Sequence, residues 1–197
     1  MDQSHEQGNP FSTRYVRPGA LDFFFAPGED LSTLFDRLAR HHWLGQIVGP
    51  HGSGKSTLLA ALLPKIESTG KPVTLVALHD GQRKLPITID STSLENHVLV
   101  IDGYEQLSWW RRRFVQRFCR RHGIGLLITT HRSVGLPEIY CTSFDINIAE
   151  RLVDQLLCGW PRIISGSEIC ACLNRHHPDL REALFELYDL FEQRRNQ

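Results

Sequence analysis

Apolar residues up to about residue 146 follow two spacings, one typical of helices and the other of buried strands. Helical spacing begins after Asp30, an acceptable N-cap residue, resumes at Ser56, and returns over 106–122. The run 97–102 is apolar at successive positions, as in a strand buried on both faces. Further strands are predicted at 43–48, 73–78, 125–130 and 139–144. This order of elements predicts an α/β fold with a central parallel sheet.

Beyond residue 146 the pattern becomes helical throughout. Ser167 is a candidate cap for one helix, and Pro178 precedes another whose apolar stripe continues to Phe191. The opposite end of the chain is rich in Gly, Pro, Ser and Asn. We therefore predict a flexible arm over 1–20, an α/β core over 21–146 and a helical, lid-like subdomain over 147–197.

Composition and charge exclude several classes of protein. The 197 residues contain 22 Lys and Arg against 22 Asp and Glu, so a uniformly basic nucleic-acid-binding protein is excluded. The five cysteines have no disulfide-framework spacing, which favours reduced thiols. Cys170 and Cys172, with His176 and His177 close behind, form a candidate metal-binding group, but the apolar helical run around the cysteines favours buried thiols. With no secretory signal and no apolar run long enough for a membrane span, we expect a cytoplasmic protein.

Residues 49–56 carry the most specific chemistry in the chain. They match the phosphate-binding pattern G-x-x-x-x-G-K-[ST] and lie between an apolar strand and an amphipathic helix. Glycines let backbone N–H groups curve around a polyphosphate at the positive end of the helix dipole. Lys55 supplies a cation for the β- and γ-phosphates, and Ser56 supplies a hydroxyl for Mg²⁺. The expected nucleotide-binding residues are Gly49, Pro50, His51, Gly52, Ser53, Gly54, Lys55, Ser56 and Thr57.

This segment resembles the Walker A motif of P-loop NTPases, and Asp102, at the end of an apolar strand, resembles their Walker B aspartate. One predicted strand lies between the two motifs, as in the additional-strand branch that includes AAA+ and ABC ATPases. No ABC-like signature precedes Asp102, so the AAA+-like type is the better match. The resemblance implies a three-layer sandwich with a central parallel sheet. It also implies bound ATP, with Mg²⁺ held by Ser56 and, through a water, by Asp102.

Candidate catalytic residues follow the second motif. Many relatives have a glutamate directly after the Walker B aspartate to orient the attacking water, but here that position is Gly103. Glu105 is the nearest carboxylate and our candidate base; a helix-start glutamate favoured by the helix dipole is the alternative. Thr130 resembles the sensor-1 position of AAA+ proteins. His131 resembles the switch histidine of ABC ATPases, with an ordinary surface histidine as the alternative.

Outside these motifs, Arg181 and the arginines of one predicted helix are further candidates for binding. Arg181, at the start of the last predicted helix, resembles the sensor-2 arginine of AAA+ lids, or is a solvated helix-start arginine. The predicted helix over 106–122 contains six arginines and no acidic residue. Its face could contact nucleic-acid phosphates or a neighbouring subunit's nucleotide. We favour a solvated face that pairs with acidic residues elsewhere.

Together these features predict an ATP-binding protein of AAA+-like type that hydrolyses ATP slowly with Mg²⁺. One alternative is a nucleotide-gated binding module without vigorous hydrolysis; the other is a small-molecule or nucleotide kinase. The candidate binding partners are another protein or a second copy of the chain. Binding of nucleic acid to the 111–121 helix is not favoured, and no association with a membrane is expected. The catalytic candidates are Lys55, Glu105, Thr130 and Arg181.

Overall fold

A computed structural model describes residues 8–79, 81–86 and 96–196 of the chain. These residues divide into two compact units. We call the part within 25–49 and 55–142 the sheet unit. The part within 1–24, 50–54 and 143–197 is the helical unit.

Five strands form the central sheet of the sheet unit. They are β1 (Leu44–Val48), β2 (Val73–Ala77), β3 (Val98–Asp102), β4 (Gly125–Thr130) and β5 (Glu138–Cys141). Their order across the sheet is β2-β3-β4-β1-β5, and every neighbouring pair is parallel. The predicted α/β class with a central parallel sheet is therefore confirmed.

Helices account for much of the rest of the described chain. They are α1 (Thr13–Val16), α2 (Leu31–Arg40), α3 (Lys55–Glu67), α4 (Trp109–His122), α5 (Ile146–Leu156), α6 (Gly166–Arg175) and α7 (Leu180–Arg195). Asp30 caps α2 as expected, with its carboxylate accepting a hydrogen bond from the backbone of Thr33. Within the described ranges, no helix is both long enough and apolar enough to cross a membrane.

The central strands are covered on both faces, which explains their largely apolar sequences. Every residue of β4 is buried, and so are the four residues of β3 that precede Asp102. Alternate residues of a strand point to opposite faces. One set packs in a single cluster with Val115 and Cys119 of α4; it comprises Leu99, Ile101, Leu126 and Ile128. The alternating set, Val98, Val100 and Leu127, is fully buried as well.

The helical unit has its own apolar core, and this core includes part of the predicted arm. Phe11 is 2% exposed and makes an edge-on contact with Phe191 of α7, with ring centroids 6.3 Å apart. The buried amide of Asn9 donates hydrogen bonds to Tyr188 O and to Glu192. Residues 9–16 are therefore packed rather than extended as a flexible arm. Residues 1–7 of that arm lie outside the described residues.

Two helix starts in this unit differ slightly from expectation. The cap of α6 is Ser165 rather than Ser167. Ser165 and Glu168 form a capping box, in which each side chain hydrogen bonds the other's backbone N–H. α7 begins at Leu180 with Asp179 as its cap, and the Asp179 carboxylate accepts hydrogen bonds from the N–H groups of Arg181 and Glu182. Capping chemistry selects these serine and aspartate positions over their neighbours.

Candidate functional site

The sheet topology brings the ends of β1, β3 and β4 to one edge. β4 lies between β1 and β3, and its residue Thr130 is in register with Val48 at the end of β1. Gly49, the first residue after β1, donates its N–H to the carbonyl of Thr130. Since all the strands are parallel, Asp102 at the end of β3 lies at the same edge. In open parallel sheets this edge is where ligands commonly bind.

Lys55 closes the segment that begins at Gly49. It is the first residue of α3 and is 8% exposed, which is unusual for a lysine. Its ammonium group donates a hydrogen bond of 2.8 Å to the carbonyl oxygen of Gly49. A buried ammonium needs such polar partners. Ser56 and Thr57 follow in the first turn of α3 and are half-buried.

The middle of the segment, residues 50–54, depends on glycine. Gly52 and Gly54 have φ values of +69° and +84°, in the left-handed region that other residues avoid. Within the turn, the Ser53 hydroxyl donates to the carbonyl of Pro50 at 2.8 Å. Of the three glycines predicted to curve the segment, Gly49, Gly52 and Gly54, the last two adopt conformations that need glycine.

Asp179 contacts this turn from the start of α7. Its Oδ2 lies 3.0 Å from Nδ1 of His51. A Cβ atom at Gly52 would lie only 1.9 Å from Asp179 Oδ1, so this position also needs glycine for lack of space. Asp179 thus caps α7 and contacts the loop, a double role that the sequence analysis missed. Its position after Pro178 signals a cap, but no local pattern signals the contact with His51.

The carboxylate of Asp102 is held by Thr129. Thr129 Oγ1 donates to Asp102 Oδ1 at 2.5 Å and accepts from the backbone N–H of Gly103 at 2.9 Å. Thr129 is 1% exposed, so this hydroxyl links the ends of β3 and β4 from inside the protein. Asp102 was predicted from the sequence, whereas Thr129 was not.

Thr130, the residue singled out instead, has different contacts. Its hydroxyl donates to the carbonyl of Arg132 at 3.0 Å, and the side chain is 1% exposed. Adjacent residues of a strand point to opposite faces, so only one of this pair of threonines can face Asp102. The sequence shows two adjacent threonines and does not indicate which of them faces Asp102.

Gly103 explains why no glutamate follows Asp102. Its φ is +78°, and an added Cβ would lie 2.6 Å from the backbone carbonyl oxygen of Leu78. Both the conformation and the space at this position exclude a side chain unless the backbone moves. The first carboxylate after Asp102 in the chain is that of Glu105, two residues beyond Gly103.

Glu105 and His131, considered separately in the sequence, form a pair. His131 Nε2 lies 3.2 Å from Glu105 Oε1. The second oxygen, Oε2, is buried and has no hydrogen-bond partner among the described residues. An acceptor of this kind, held on one side and unsatisfied on the other, is chemically suited to receive a proton or a hydrogen bond from a small polar molecule.

Arg181 lies in the first turn of α7, where it was expected, and it is exposed. Its guanidinium group is 5.6 Å from the ring centroid of Phe185, one turn further along the helix. This is a cation–π contact within α7. The sensor-2 role of Arg181 stays a prediction.

The cysteine group considered for metal binding is engaged in protein contacts. Cys172 is buried, its thiol donates to the carbonyl of Ala183, and burial raises its pKa to about 11. Its sulfur lies near His176 and Glu186, with the three potential ligand atoms within 4.8 Å of one another. Glu186 is already paired with both His176 and Arg175. These contacts support the interpretation of Cys172 as a buried thiol.

Comparisons with known proteins add little to this geometry. No family model and no curated protein matches the sequence. Among solved structures, the chain is similar to the solution structure of protein NMB1076 from Neisseria meningitidis, with 19% identity. The match covers 57% of this chain and 74% of that chain, with a TM-score of 0.33. A likeness at this score carries no argument, so the function must be argued from the residues themselves.

Proposed function

We propose that this chain is a P-loop nucleotide-binding protein of AAA+-like type, which binds ATP with Mg²⁺ and hydrolyses it slowly. One observation carries the proposal. The segment with the full phosphate-loop pattern leaves the carboxyl end of β1, at the sheet edge where β3 ends in Asp102. A phosphate-binding loop and an acidic metal ligand need this proximity to act on one nucleotide.

The loop has the features that polyphosphate binding requires. Gly52 and Gly54 adopt conformations that free the backbone N–H groups from side-chain bulk. α3 begins at Lys55, so its positive dipole end lies at the end of the loop. Lys55 supplies a buried, hydrogen-bonded ammonium group. We propose that these groups bind the β- and γ-phosphates of ATP.

Ser56 and Asp102 provide a donor set suited to Mg²⁺. Hydroxyl and carboxylate oxygens are the hard ligands that this ion prefers, usually together with water and phosphate oxygens. The hydrogen bond from Thr129 fixes the orientation of the Asp102 carboxylate before any ligand arrives. When bound, Mg²⁺ would neutralise phosphate charge.

Glu105 is the proposed base for hydrolysis. Its unpaired oxygen could accept a proton from an attacking water, while His131 holds the other oxygen. Because Gly103 leaves no room for a glutamate next to Asp102, the base is displaced along the chain. This displacement supports slow rather than fast hydrolysis.

A nucleotide-gated binding module is the second candidate, and the contact between His51 and Asp179 favours it. Asp179 caps α7 and also contacts the loop residue expected near the phosphates. A polyphosphate in the loop would bring negative charge close to this carboxylate. Nucleotide binding would then perturb the start of α7, with or without hydrolysis.

Thermal unfolding with MgATP tests the proposal. The parent chain and the control variant Lys84→Ala, which changes an exposed lysine, should melt at a higher temperature with MgATP. Lys55→Ala should show no such shift. Absence of a shift in the parent would rule out the proposed function. Formation of ADP and free phosphate in water would indicate an ATPase. Formation of ADP only with an added acceptor, which becomes phosphorylated, would indicate a kinase, and MgATP binding without formation of ADP would indicate a gated module.

A further inference from the structure

The outward side of α4 has a repeating pattern of aromatic and arginine residues. Residues four apart on a helix are neighbours, at intervals of about 6 Å along the axis. One such row is almost wholly aromatic, and the adjacent row is mainly arginine. We call the two rows together the outer face of α4. The aromatic row consists of Trp110, Phe114, Phe118 and His122, and the arginine row consists of Trp109, Arg113, Arg117 and Arg121.

Three of the aromatic side chains on the outer face are mostly exposed. Trp109, Trp110 and Phe114 have 57%, 76% and 59% of their surface accessible. Large apolar side chains grouped at a surface are uncommon unless something binds there. The rings contact one another, with 4.4 Å between the Trp109 and Trp110 centroids and a stacked arrangement of Phe114 on Phe118.

The opposite side of α4 anchors the helix. Val115 and Cys119 are buried against the sheet. The hydroxyl of Tyr104, itself fully buried, donates to the carbonyl of Arg112, and the Arg112 guanidinium donates to Leu107 O. These contacts fix which side of α4 faces outward, so the exposure of the tryptophans is not a consequence of a loosely attached helix.

Within the part of the chain that the structure describes, the arginines on the outer face have no acidic partner. Among the described residues, no arginine of α4 forms an ion pair with a carboxylate. Arg113 instead lies over the ring of Trp109, at 5.9 Å from its centroid. The solvated face paired with acidic residues, which we favoured from the sequence, is therefore not found in the described ranges. The positive charge remains available to an anionic partner.

We propose that the outer face of α4 binds single-stranded nucleic acid. Exposed aromatic rings stack on bases regardless of sequence, and adjacent guanidinium groups pair with the backbone phosphates. Both groups recur together along the same side of one helix, which suits a ligand that repeats a flat base and an anion. A duplex would offer the phosphates but keep its base faces inside the stack. This site is separate from the nucleotide site proposed above and does not depend on it.

Fluorescence anisotropy with a labelled oligothymidylate of about 20 nucleotides tests this proposal in low salt and without ATP. The parent should bind, and rising salt should weaken binding. Trp110→Ala plus Phe114→Ala should weaken binding about tenfold or more. Arg113→Glu plus Arg117→Glu should weaken it as strongly and reduce its salt dependence. Circular dichroism would check folding, and Phe114→Ala or Arg117→Glu alone would replace a double variant that unfolds.

Control variants alter exposed residues elsewhere. Leu75→Ala removes a half-exposed apolar side chain, and Arg17→Glu plus Arg162→Glu makes the same charge change away from α4. Both controls should bind as the parent does. No binding by the parent, or equal loss in controls and outer-face variants, would overturn the proposal. The proposal would also be overturned if the outer face bound only to phosphatidylglycerol vesicles, or if the protein bound a duplex more tightly than the single strand.

Discussion

The hydroxyl of Thr129 lies 2.5 Å from the carboxylate of Asp102 and 2.9 Å from the backbone nitrogen of Gly103. This single side chain fixes the end of β3 against the end of β4, at the edge where the phosphate-type loop begins. The acidic residue proposed to contact Mg²⁺ is thus oriented by the neighbouring strand.

Replacing Thr129 should affect both stability and metal dependence. Thr129→Val removes the hydroxyl that satisfies two polar groups, and should lower the free energy of unfolding by about 1–3 kcal/mol in urea titrations. It should also raise the Mg²⁺ concentration needed for ATP binding. Thr129→Ser keeps the hydroxyl and should resemble the parent. Equal stability of the valine and serine variants would contradict the role given to this hydrogen bond.

Substitution by alanine should destabilise the protein more at Gly52 than at Gly28, another glycine with a positive φ. Gly28 has a φ of +84° with nothing near its added Cβ, whereas the Cβ at Gly52 would collide with Asp179. Both substitutions cost about 1–2 kcal/mol for the left-handed backbone. Gly52→Ala should lose roughly a further 1–3 kcal/mol from the collision. Urea unfolding measures both, and equal losses would show that the contact with Asp179 is absent in solution.

Glu105 should matter for hydrolysis and not for binding. Glu105→Gln removes the proposed proton acceptor and should slow phosphate release by about a hundredfold or more. ATP affinity, measured by titration calorimetry, should stay close to that of the parent. Glu138→Gln changes an exposed glutamate at the start of β5 and is the matched control. Unchanged turnover in Glu105→Gln would show that another group activates the water.

Glu186 should make the stability of the protein sensitive to acid. The hydrogen bond from His176 and the charge of Arg175 hold the pKa of Glu186 below its ordinary value of 4.5. A lowered carboxyl pKa stabilises the folded state above pH 4.5, and this contribution is lost as the pH falls towards the folded-state value.

The measurement is the difference in urea midpoint between the parent and Glu186→Gln as a function of pH. The parent should be the more stable above pH 4.5, and the difference should shrink in more acidic solution. Glu182→Gln, an exposed change on the same helix, should show no comparable trend. A difference that stays constant with pH would contradict the pairing of Glu186.

The fold was predictable where burial leaves a clear pattern. Strands β3 and β4 were found because residues on both of their faces are apolar, and α2 because Asp30 caps an amphipathic segment. The order of the strands was not predicted, since pairing depends on contacts between residues far apart in the chain. The packing of Phe11 was missed as well, because the two aromatic residues of the predicted arm, Phe11 and Tyr15, are too few to show a period.

The candidate site was predictable only as far as local chemistry constrains it. Residues 49–56 stand out because a phosphate loop needs glycines, a lysine and a hydroxyl at fixed spacing. Thr129 was missed because adjacent threonines look alike until the strand is placed against its neighbour. The contact of Asp179 with His51 joins residues 128 positions apart, and no local pattern reports it.

Hydrogen exchange measured by mass spectrometry locates bound MgATP on the chain and so tests whether the phosphate-type loop binds it. We expect slower amide exchange over residues 50–57 when MgATP is added to the parent, and no such change in Lys55→Ala. MgATP binding without protection of this segment, or no protection anywhere at saturating MgATP, would contradict the proposed nucleotide site.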